Sequence, residues 1–305
     1  MERENNVYPG VTIEYHADDF GMFPIQSKRI LDCYHGGCLN GVSVMPNSPW
    51  LKQCIEMLHP VQKDIAVTVH LNLIEGRSLA FPNGCSLLTD DHGILRASFC
   101  NLLIRSYLPG RKLLRAQLQA EFRRQILEVK QHLDPEQPIR LDGHAHYHMI
   151  PVAFDAMMDV IADENLDISY IRIPSENLGL YIRHWRELKD FVPVNLAKVG
   201  ILNLLAVRNL WKYRKELSGY EKKLFMGVFL SGRMHAENVR PLLQDACAWA
   251  KQRGWELELL AHPGGIYEPE DIAQLTNRDD VVFLTSAMRR KEITMFQIGR
   301  EAVGK

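Results

Sequence analysis

The chain of 305 residues is long enough to bury a large core, and 46% of its residues are hydrophobic while 24% are charged. Its formal net charge is −1, so no excess of positive charge points to a nucleic acid or an anionic membrane as a partner. No run approaches the roughly 18 uninterrupted apolar residues that cross a bilayer. These properties leave open one α/β barrel or two smaller domains.

The amino terminus and the cysteines indicate the cellular compartment. The first residues, Met-Glu-Arg-Glu-Asn-Asn, lack the basic and then apolar layout of a signal peptide. The six cysteines show no Cys-x-x-Cys spacing and no density typical of a disulfide framework. We therefore predict reduced thiols and a cytoplasmic protein.

Short apolar runs alternate along the chain with longer stretches of helical spacing. The predicted strands are residues 11–15, 41–45, 65–69, 139–141, 168–171, 225–230 and 256–260. The predicted helices are residues 25–37, 48–58, 112–133, 151–165, 236–253 and 284–301. This alternation favours a parallel sheet with helices outside it. Because no fixed repeat or low-complexity linker interrupts the pattern, we predict a single domain over residues 1–305.

Two further segments stand between these elements. Residues 76–95 are rich in Gly, Pro, Asn, Asp and Ser, which predicts a long loop, a common place for a substrate lid. Residues 195–216 are apolar with Lys and Arg interspersed. For that stretch a helix packed on the domain is favoured over a helix on a membrane surface.

Polar residues cluster where the predicted strands end. Asp18 and Asp19, His70, His144 and His262 each follow a different apolar run. In α/β barrels the carboxyl ends of the strands converge on one face, which carries the catalytic groups. Carboxylates and imidazoles together can hold one divalent cation and leave a carboxylate for proton transfer. The placement therefore predicts one shared metal-dependent site.

Adjacent residues of a regular strand point to opposite faces, which is a difficulty for Asp18 and Asp19. Gly21 permits a turn there, so both carboxylates are predicted to reach the site. The competing interpretation is that the two acids cap a helix or form a turn. His70 considered alone is better explained as a hydrogen-bonded core histidine than as a metal ligand.

The segment Asp142-Gly-His144-Ala-His146-Tyr-His148 is the sharpest local signal. If it is extended, its three imidazoles face one side. Each imidazole then needs partners for its ring nitrogens, so metal binding or catalysis explains the cluster better than core packing does. Not all three need be ligands, and His146 and His148 are assigned to substrate contacts or to support of the ligands.

Two more residues at strand ends are candidates. Arg172 either orients a carboxylate and contacts substrate or is a plain surface cation. His262 begins a His-Pro-Gly-Gly turn, so we expect it on the rim of the site as a general acid. The other histidines are predicted to be surface residues, with His16 as the exception because it adjoins the aspartate pair: His35, His59, His92, His132, His184 and His235.

Taken together, these motifs resemble the YdjC/ChbG-like carbohydrate deacetylase family, which is similar to the NodB-type polysaccharide deacetylases. The matching segments run in family order over most of the chain. They are Ala17-Asp18-Asp19-Phe20-Gly21, Gly41-Val-Ser-Val-Met45, His70-Leu71, the helix with Glu121 and Gln125, Asp142 to His148 with Pro151, Ile171-Arg172-Ile-Pro174 and His262-Pro-Gly.

The resemblance implies a distorted (β/α) barrel of parallel strands with outer helices. It also implies one divalent metal ion, Mg²⁺ or Zn²⁺, bound by Asp19, His70 and His144, with Asp18 as catalytic base and His262 as proton donor. The chain departs from the family pattern at His16, where the family usually has Asn, and at Gly143, where it usually has Ser or Thr. Residues 180–235 match no segment of it.

The expected function is hydrolysis of the N-acetyl group of an N-acetylated sugar, such as a chito-oligosaccharide unit. We expect a small sugar as partner, no nucleic acid and no membrane, and we leave a homodimer open. One alternative is an amidohydrolase-like or phosphoesterase-type metallo-hydrolase, which commonly places His-x-His at the first strand and holds two or three metals. The other is a carbohydrate-binding protein without activity.

Overall fold

Seven parallel strands form one sheet in the computed structural model, which describes residues 10–273, Leu275 and residues 278–301. The strand order is β5-β4-β3-β2-β1-β7-β6, and every neighbouring pair is parallel. The strands are β1 Ile13–Phe20, β2 Gly41–Val44, β3 Ala66–Leu71, β4 Ile139–Gly143, β5 Ile168–Ile171, β6 Lys223–Met226 and β7 Glu256–Ala261.

Helices connect the strands and cover the outside of the sheet. They are α1 Pro24–His35, α2 Leu51–Leu58, α3 Phe99–Arg105, α4 Arg111–Lys130, α5 Pro151–Asp163, α6 Leu178–Arg183, α7 Pro193–Lys212, α8 Ala236–Arg253, α9 Pro269–Ile272, α10 Arg278–Leu284, α11 Ala287–Glu292 and α12 Ile298–Glu301. Short 3₁₀ turns occupy His59–Val61, His144–Met149, Glu216–Gly219 and Ile293–Gln297. Among the described helices, none combines the length and the apolar character needed to cross a bilayer.

The sheet curls into an open half-barrel with β5 and β6 at its two edges. Its curvature is visible in the contacts of Arg172, which follows β5 but donates hydrogen bonds to Asp18 of β1 and Glu258 of β7. These residues are separated by several strands in the sheet order, so only a curled sheet brings them together. The predicted distorted barrel of parallel strands with outer helices is thus confirmed.

The two faces of the sheet differ in polarity. On β1 the outward residues Ile13, Tyr15 and Ala17 join the hydrophobic core, whereas the alternate residues Glu14 and His16 face the barrel interior. This alternation follows from the two-residue repeat of a strand. The interior is therefore a column of buried polar groups that leads to the carboxyl edge of the sheet.

Charges inside the barrel are paired. Arg140 donates two hydrogen bonds of 2.7 Å to Glu14, and the Lys223 ammonium lies 2.6 Å from the same carboxylate. Burial would raise the pKa of Glu14, but Arg140 and then His16 and Lys223 hold that pKa well below its usual value. A buried charge needs such partners because an unpaired ion is strongly disfavoured away from water.

Several predicted boundaries differ from the structure. β1 extends to Phe20, so Asp18 and Asp19 lie within the strand rather than after it. Residues 227–230 fall outside β6, and the helix predicted over 284–301 is divided into short pieces, α10 to α12 with a 3₁₀ turn. The short helices α3, α6 and α9 were not predicted; of the seven residues of α3, only Leu102 is buried.

Candidate metal centre and active site

Three side chains predicted to share a site converge at the carboxyl edge of the sheet. The Oδ1 atom of Asp19 lies 3.1 Å from Nδ1 of His144 and 3.7 Å from Nε2 of His70. The two imidazole nitrogens lie 3.3 Å apart. Donor atoms at roughly 2.0–2.2 Å from a tetrahedral ion are separated by about 3.3–3.6 Å. The three groups are therefore spaced as ligands of one cation.

The atoms behind these donors support the same assignment. The other nitrogen of His70 lies 2.7 Å from Oδ1 of Asp142, and the other nitrogen of His144 lies 3.0 Å from Oε1 of Glu75. Metal-binding histidines typically have a carboxylate at their second nitrogen, which fixes the tautomer and the ring orientation. Asp19 Oδ1 is buried and has no well-aligned hydrogen-bond donor among the described residues. The residues present thus fit a bound cation.

An irregular backbone brings both aspartates to the site. Asp19 has a positive φ of 67°, and the pairing of β1 with β2 shifts register between Ala17 and Phe20. The irregularity breaks the alternation that would send adjacent side chains to opposite faces, and both Asp18 and Asp19 line the same cavity. Gly21, at which the turn was predicted, also has a positive φ, but the irregularity that turns both side chains to one face begins at Asp19 itself.

Electrostatics distribute the protons unevenly in the metal-free site. Burial would raise the pKa of Asp19, but contacts with His144 and His70 hold it well below its usual value. Burial would lower the pKa of His70, but Asp142 and Asp18 raise it to about 10. Burial likewise opposes a charge on His144, but Asp19 and Glu75 raise its pKa to about 9. In the absence of a cation, the neighbouring carboxylates thus favour the protonated form of each imidazole.

The histidine-rich segment is not extended, so the expectation that its three imidazoles face one side is wrong. Residues His144–Met149 form a 3₁₀ turn in which Ala145 and His146 have positive φ values of 48° and 61°. His144 reaches the metal cluster and His146 lines the cavity. His148 is buried and donates a 2.8 Å hydrogen bond to the carbonyl oxygen of Arg172.

Gly143 makes room for His148. A Cβ atom at position 143 would lie 2.7 Å from Nδ1 of His148, closer than real Cβ contacts allow. The family that this chain resembles usually has Ser or Thr at this position; here the imidazole of His148 fills the space that such a side chain would need.

His146 differs in charge from His144, because burial and the nearby Arg172 hold the pKa of His146 well below its usual value.

Arg172 is fully buried, so its interpretation as a surface cation is wrong. Its guanidinium contacts Asp142, Asp18 and Glu258. Neither Arg172 nor His148 is among the residues that line the cavity. The structure therefore places Arg172 behind the carboxylates, where it orients them.

A cavity of about 690 Å³ opens above the three donors. His262 follows β7 and stands on its wall with a side chain that is 29% exposed. Its backbone N–H donates a 2.7 Å hydrogen bond to Glu292, which anchors the turn. Ala17 of β1 is paired with Ala261 of the neighbouring strand β7. Asp18 and His262 each follow one of these paired residues, so they lie side by side at the carboxyl edge of the sheet.

Residues 180–235, which matched no family segment, contribute much of the wall. Lys198, Ile201 and Leu202 of α7 line the cavity, as do residues of the loop after β6. The loop 76–95 contributes no lining residue and is held against α4 by Glu121, which accepts hydrogen bonds from Ser78 and the following backbone. Residues of α7 thus line the cavity, and the loop 76–95, where a substrate lid was expected, does not.

Two site residues were missed by sequence reasoning. Arg289 is buried and donates a 3.3 Å hydrogen bond to Oδ2 of Asp19, and Glu292 accepts a hydrogen bond from the His262 backbone. Both residues belong to α11, and no sequence motif marks them. Arg289 lies 270 residues after Asp19 in the chain. Their only signal is the spacing of three residues, which places them on one side of a helix.

Two more groups of side chains contain His16 and have possible ligand atoms within 4.8 Å of one another. One consists of Glu14, His16 and Glu258, and the other of His16, Asp18 and Asp142. His16 is buried between Glu14 Oε1 at 2.6 Å and Ser43 Oγ at 2.7 Å. Arg140 and Arg172 already pair with the carboxylates of these clusters, so a cation there would meet existing positive charges. His235 is also buried and lies 3.0 Å from Asp190, so its prediction as a surface residue is wrong.

Fold and site together define a parallel α/β half-barrel with an Asp-His-His cluster that could hold a metal ion at the carboxyl edge of its sheet. The family model described as YdjC-like protein matches residues 13–297, and the chain belongs to this family.

Individual relatives agree with this membership. The chain is 26% identical over 280 residues to a carbohydrate deacetylase of Xenopus laevis, covering 86% of this chain and 84% of that protein. It is 27% identical over 171 residues to a carbohydrate deacetylase of Danio rerio, covering 55% of this chain and 51% of that protein. A solved structure from Enterococcus faecalis, described as a candidate cellobiose-phosphate cleavage protein, shares the fold with a TM-score of 0.65 at 15% identity, covering 97% of this chain and 94% of that one.

Proposed function

We propose that this chain is a metal-dependent carbohydrate deacetylase, formed as one YdjC-like domain, that hydrolyses the N-acetyl group of an N-acetylated sugar. The observation that carries the proposal is the convergence of Asp19, His70 and His144, together with the further carboxylate of Asp18, which lines the same cavity as Asp19 and His144. The family membership and the carbohydrate deacetylases among the relatives support the same reaction.

Asp19, His70 and His144 would hold the cation. Two imidazoles and one carboxylate suit Zn²⁺ and other first-row ions better than Mg²⁺, which prefers an all-oxygen shell. A cation bound there supplies Lewis-acid polarisation of the amide carbonyl and lowers the pKa of a coordinated water. Arg289 donates a hydrogen bond to Oδ2 of Asp19, and the other oxygen, Oδ1, faces the imidazoles of His70 and His144.

Asp18 is the proposed general base. Burial would raise its pKa, but Arg172 and then His70 hold the pKa below the usual value, so the group is a carboxylate at neutral pH. Its Oδ2 atom lies 3.8 Å from Nε2 of His70, next to the metal ligands. A carboxylate in this position accepts the proton of the water that attacks the acetyl carbon.

His262 is the proposed general acid. It donates a proton to the sugar nitrogen as the carbon–nitrogen bond breaks, so the acetyl group leaves as acetate and the sugar keeps an amine. His262 lines the same cavity as Asp18 but follows β7, the strand next to β1, and Glu292 anchors its backbone. The proposed acid and the proposed base therefore reach the cavity from different strands. His146, whose lowered pKa keeps it neutral, lines the same cavity as a substrate contact.

Acetate release tests the proposal directly. Protein stripped of metal is assayed on N-acetylglucosamine and short chito-oligosaccharides, before and after addition of Zn²⁺, Mg²⁺ or Mn²⁺ alone. We expect activity only with metal, close to one ion per chain, and loss of both metal and activity in His144→Ala. His92→Ala, a change at an exposed loop residue, serves as the matched control. Activity without metal, or two ions per chain, would contradict the proposal.

A further inference from the structure

A series of hydrogen bonds runs through the interior of the half-barrel and ends at His70. Ser43 of β2 donates a 2.5 Å hydrogen bond to Oδ2 of Asp142, whose Oδ1 lies 2.7 Å from Nδ1 of His70. The same hydroxyl lies 2.7 Å from Nε2 of His16, and Nδ1 of His16 lies 2.6 Å from Oε1 of Glu14. All five side chains are buried, so their polar atoms depend on one another. We call these five side chains the His16 network.

The two acidic members of the His16 network are ionised. Burial would raise the pKa of Glu14, but Arg140 above all holds that pKa well below its usual value. Burial would likewise raise the pKa of Asp142, but Arg172 and then His70 hold it below its usual value. An ionised carboxylate accepts hydrogen bonds and donates none. The hydrogen in each contact with these two carboxylates must therefore come from the partner side chain.

A count of the hydrogens fixes the protonation of His16. The Ser43 hydroxyl has one hydrogen, which it donates to Asp142, so its oxygen accepts in the contact with His16. Nε2 of His16 must then donate to Ser43, and Nδ1 must donate to Glu14. A neutral imidazole has a hydrogen on only one ring nitrogen, so it would leave one of these two short contacts without a hydrogen. The distances therefore require a hydrogen on both ring nitrogens.

The surroundings of His16 suit a positive charge. Besides Glu14, two more buried carboxylates lie near the ring: Oε1 of Glu258 is 3.7 Å from Nδ1, and Oδ1 of Asp18 is 3.6 Å from Nε2. Three further cations pair with the carboxylates of this region from other elements; they are Arg140, Lys223 and Arg172. Buried ions need opposite charges and hydrogen bonds, and an imidazolium at position 16 has both.

The neighbouring strand leaves space for the pair formed by His16 and Glu14. Gly41 of β2 is paired with His16 in the sheet. A Cβ atom at position 41 would lie 2.5 Å from Nδ1 of His16 and 2.6 Å from Oε1 of Glu14, closer than real Cβ contacts allow. Gly41 and Ser43 lie two residues apart on one strand and so face the same side. The strand β2 thus supplies both the space for the ring and the hydroxyl that the ring contacts.

We propose that His16 is an imidazolium at neutral pH and acts as a positioning residue for the metal ligand His70. Through Ser43 it holds Oδ2 of Asp142, so that Oδ1 remains directed at Nδ1 of His70. With a hydrogen held on Nδ1, the lone pair of His70 lies on Nε2, the nitrogen that faces Asp19 and His144. This inference rests on the proposed function, in which His70 binds the cation.

Nuclear magnetic resonance counts the ring hydrogens directly. The Zn²⁺-loaded protein, with ¹⁵N-labelled histidines, is examined at about pH 8, where an ordinary imidazole with a pKa of about 6.5 is almost entirely neutral. We expect a hydrogen on both ring nitrogens of His16 and a hydrogen on Nδ1 alone for His70. The signals of His16 are assigned by their loss in His16→Gln. A neutral ring at His16 would overturn the proposal.

Metal affinity tests the link through Ser43. Ser43→Ala removes one hydroxyl and interrupts the His16 network, while Arg172 still contacts Asp142. Loss of support behind a metal-binding histidine weakens metal affinity roughly 10–100-fold. Because Arg172 remains, we expect a loss of roughly tenfold, at the low end of that range, measured by competition with a chelator.

Ser106→Ala is the matched control. It removes a buried hydroxyl that donates to the carbonyl oxygen of Leu102 and accepts from the backbone N–H of Val152. These groups belong to α3 and α5 and not to the His16 network, so this variant should bind metal as the original chain does. Equal metal affinity of Ser43→Ala and Ser106→Ala would overturn the positioning role.

Two changes at position 16 separate hydrogen bonding from packing. Leu fills much of the space of the ring without a donor, whereas the amide of Gln offers an N–H to Ser43. We expect His16→Leu to weaken metal binding about as much as Ser43→Ala, and His16→Gln to restore most of the affinity. Equal losses in the Leu and Gln variants would show that His16 only fills space and would overturn the proposal. Circular dichroism checks folding; if His16→Leu does not fold, Ser43→Ala and the resonance measurement still decide.

The combined variant tests whether the two residues act in series. Either His16→Leu or Ser43→Ala alone breaks the His16 network, so the double variant should bind metal no more weakly than the weaker of the two single variants. Additive losses, which are usual for independent sites, would contradict a shared route to His70.

Acetate release separates this inference from the proposed function. If the chain binds one cation and releases acetate while His16 is neutral, the inference fails and the deacetylase stands. If the metal-loaded chain releases no acetate from any N-acetylated sugar, the proposed function fails, whatever hydrogens the ring of His16 carries.

Discussion

Arg172 donates hydrogen bonds from one guanidinium nitrogen to both oxygens of Asp18, at 3.0 and 3.1 Å. Both side chains are buried. The same guanidinium contacts Asp142 and Glu258, so this arginine orients both the proposed base and the carboxylate behind His70, a proposed metal ligand. A single buried arginine thus links the base to the support of the metal centre.

Replacing Arg172 tests this link. Arg172→Met leaves three buried carboxylates without their cation, and removal of one partner from such a network typically costs about 3–5 kcal/mol. We expect a loss of that size in the free energy of unfolding, measured by denaturant titration. Arg183→Met is the control, since Arg183 is 73% exposed in its pair with Asp245; the two variants unfolding alike would contradict the role of Arg172.

Asp18→Asn separates proton transfer from metal binding. The amide keeps the size of the side chain but cannot act as a base, so we expect kcat to fall roughly 10²–10⁴-fold with the metal retained. Metal content by elemental analysis and kcat on the same sample give the answer. If the variant lost its metal, Asp18 would be a ligand and the two aspartates would exchange roles.

His262→Ala tests the proposed acid. The departing amine then lacks its proton donor, and we expect a fall in kcat of roughly 10²–10⁴-fold with normal metal content. A substrate whose leaving group is a weakly basic aromatic amine needs less protonation, so it should be less affected by the change. Full activity on the sugar substrate would move the donor elsewhere; His146, which also lines the cavity, is the next candidate.

The fold and the principal site residues were accessible from sequence for a physical reason. Parallel strands buried on both faces appear as short apolar runs, and polar residues at their carboxyl ends converge on one edge. That rule is sufficient to predict that Asp18 and Asp19, His70, His144 and His262 share one site, whereas the choice of Asp19, His70 and His144 as metal ligands came from the resemblance to the YdjC/ChbG-like family. It depends on the order of elements and not on details of the backbone.

What sequence reasoning missed depends on local geometry and distant packing. Positive φ values are uncommon at any residue other than glycine, so the sequence did not predict them at Asp19, Ala145 and His146. Arg289 reaches Asp19 from the other end of the chain. The position of α7 at the cavity depends on hydrogen bonds from Asn195 and Asn209 to loops that periodicity does not describe.

Glu75→Gln tests the support behind His144. Glu75 is partly exposed and its carboxylate lies 3.0 Å from Nε2 of His144, so the change should leave the fold intact. Loss of a carboxylate behind a metal-binding histidine typically weakens metal affinity 10–100-fold. Competition with a chelator measures that affinity. The control variant Glu187→Gln changes a carboxylate beside His184 on the surface and should bind metal normally. Equal metal affinity of the two variants would show that Glu75 does not support the metal site.

Proton release accompanies metal uptake if the ligand set is correct. In the metal-free protein the pKa of His70 is raised to about 10 and that of His144 to about 9, so both imidazoles hold an extra proton at pH 7. A cation binds only the deprotonated nitrogens, and affinity should therefore rise as the pH increases toward 9. Calorimetry in two buffers of different ionisation enthalpy should show close to two protons released per ion at pH 7. Metal binding without proton release, or affinity that falls with rising pH, would refute the assignment of His70 and His144 as ligands.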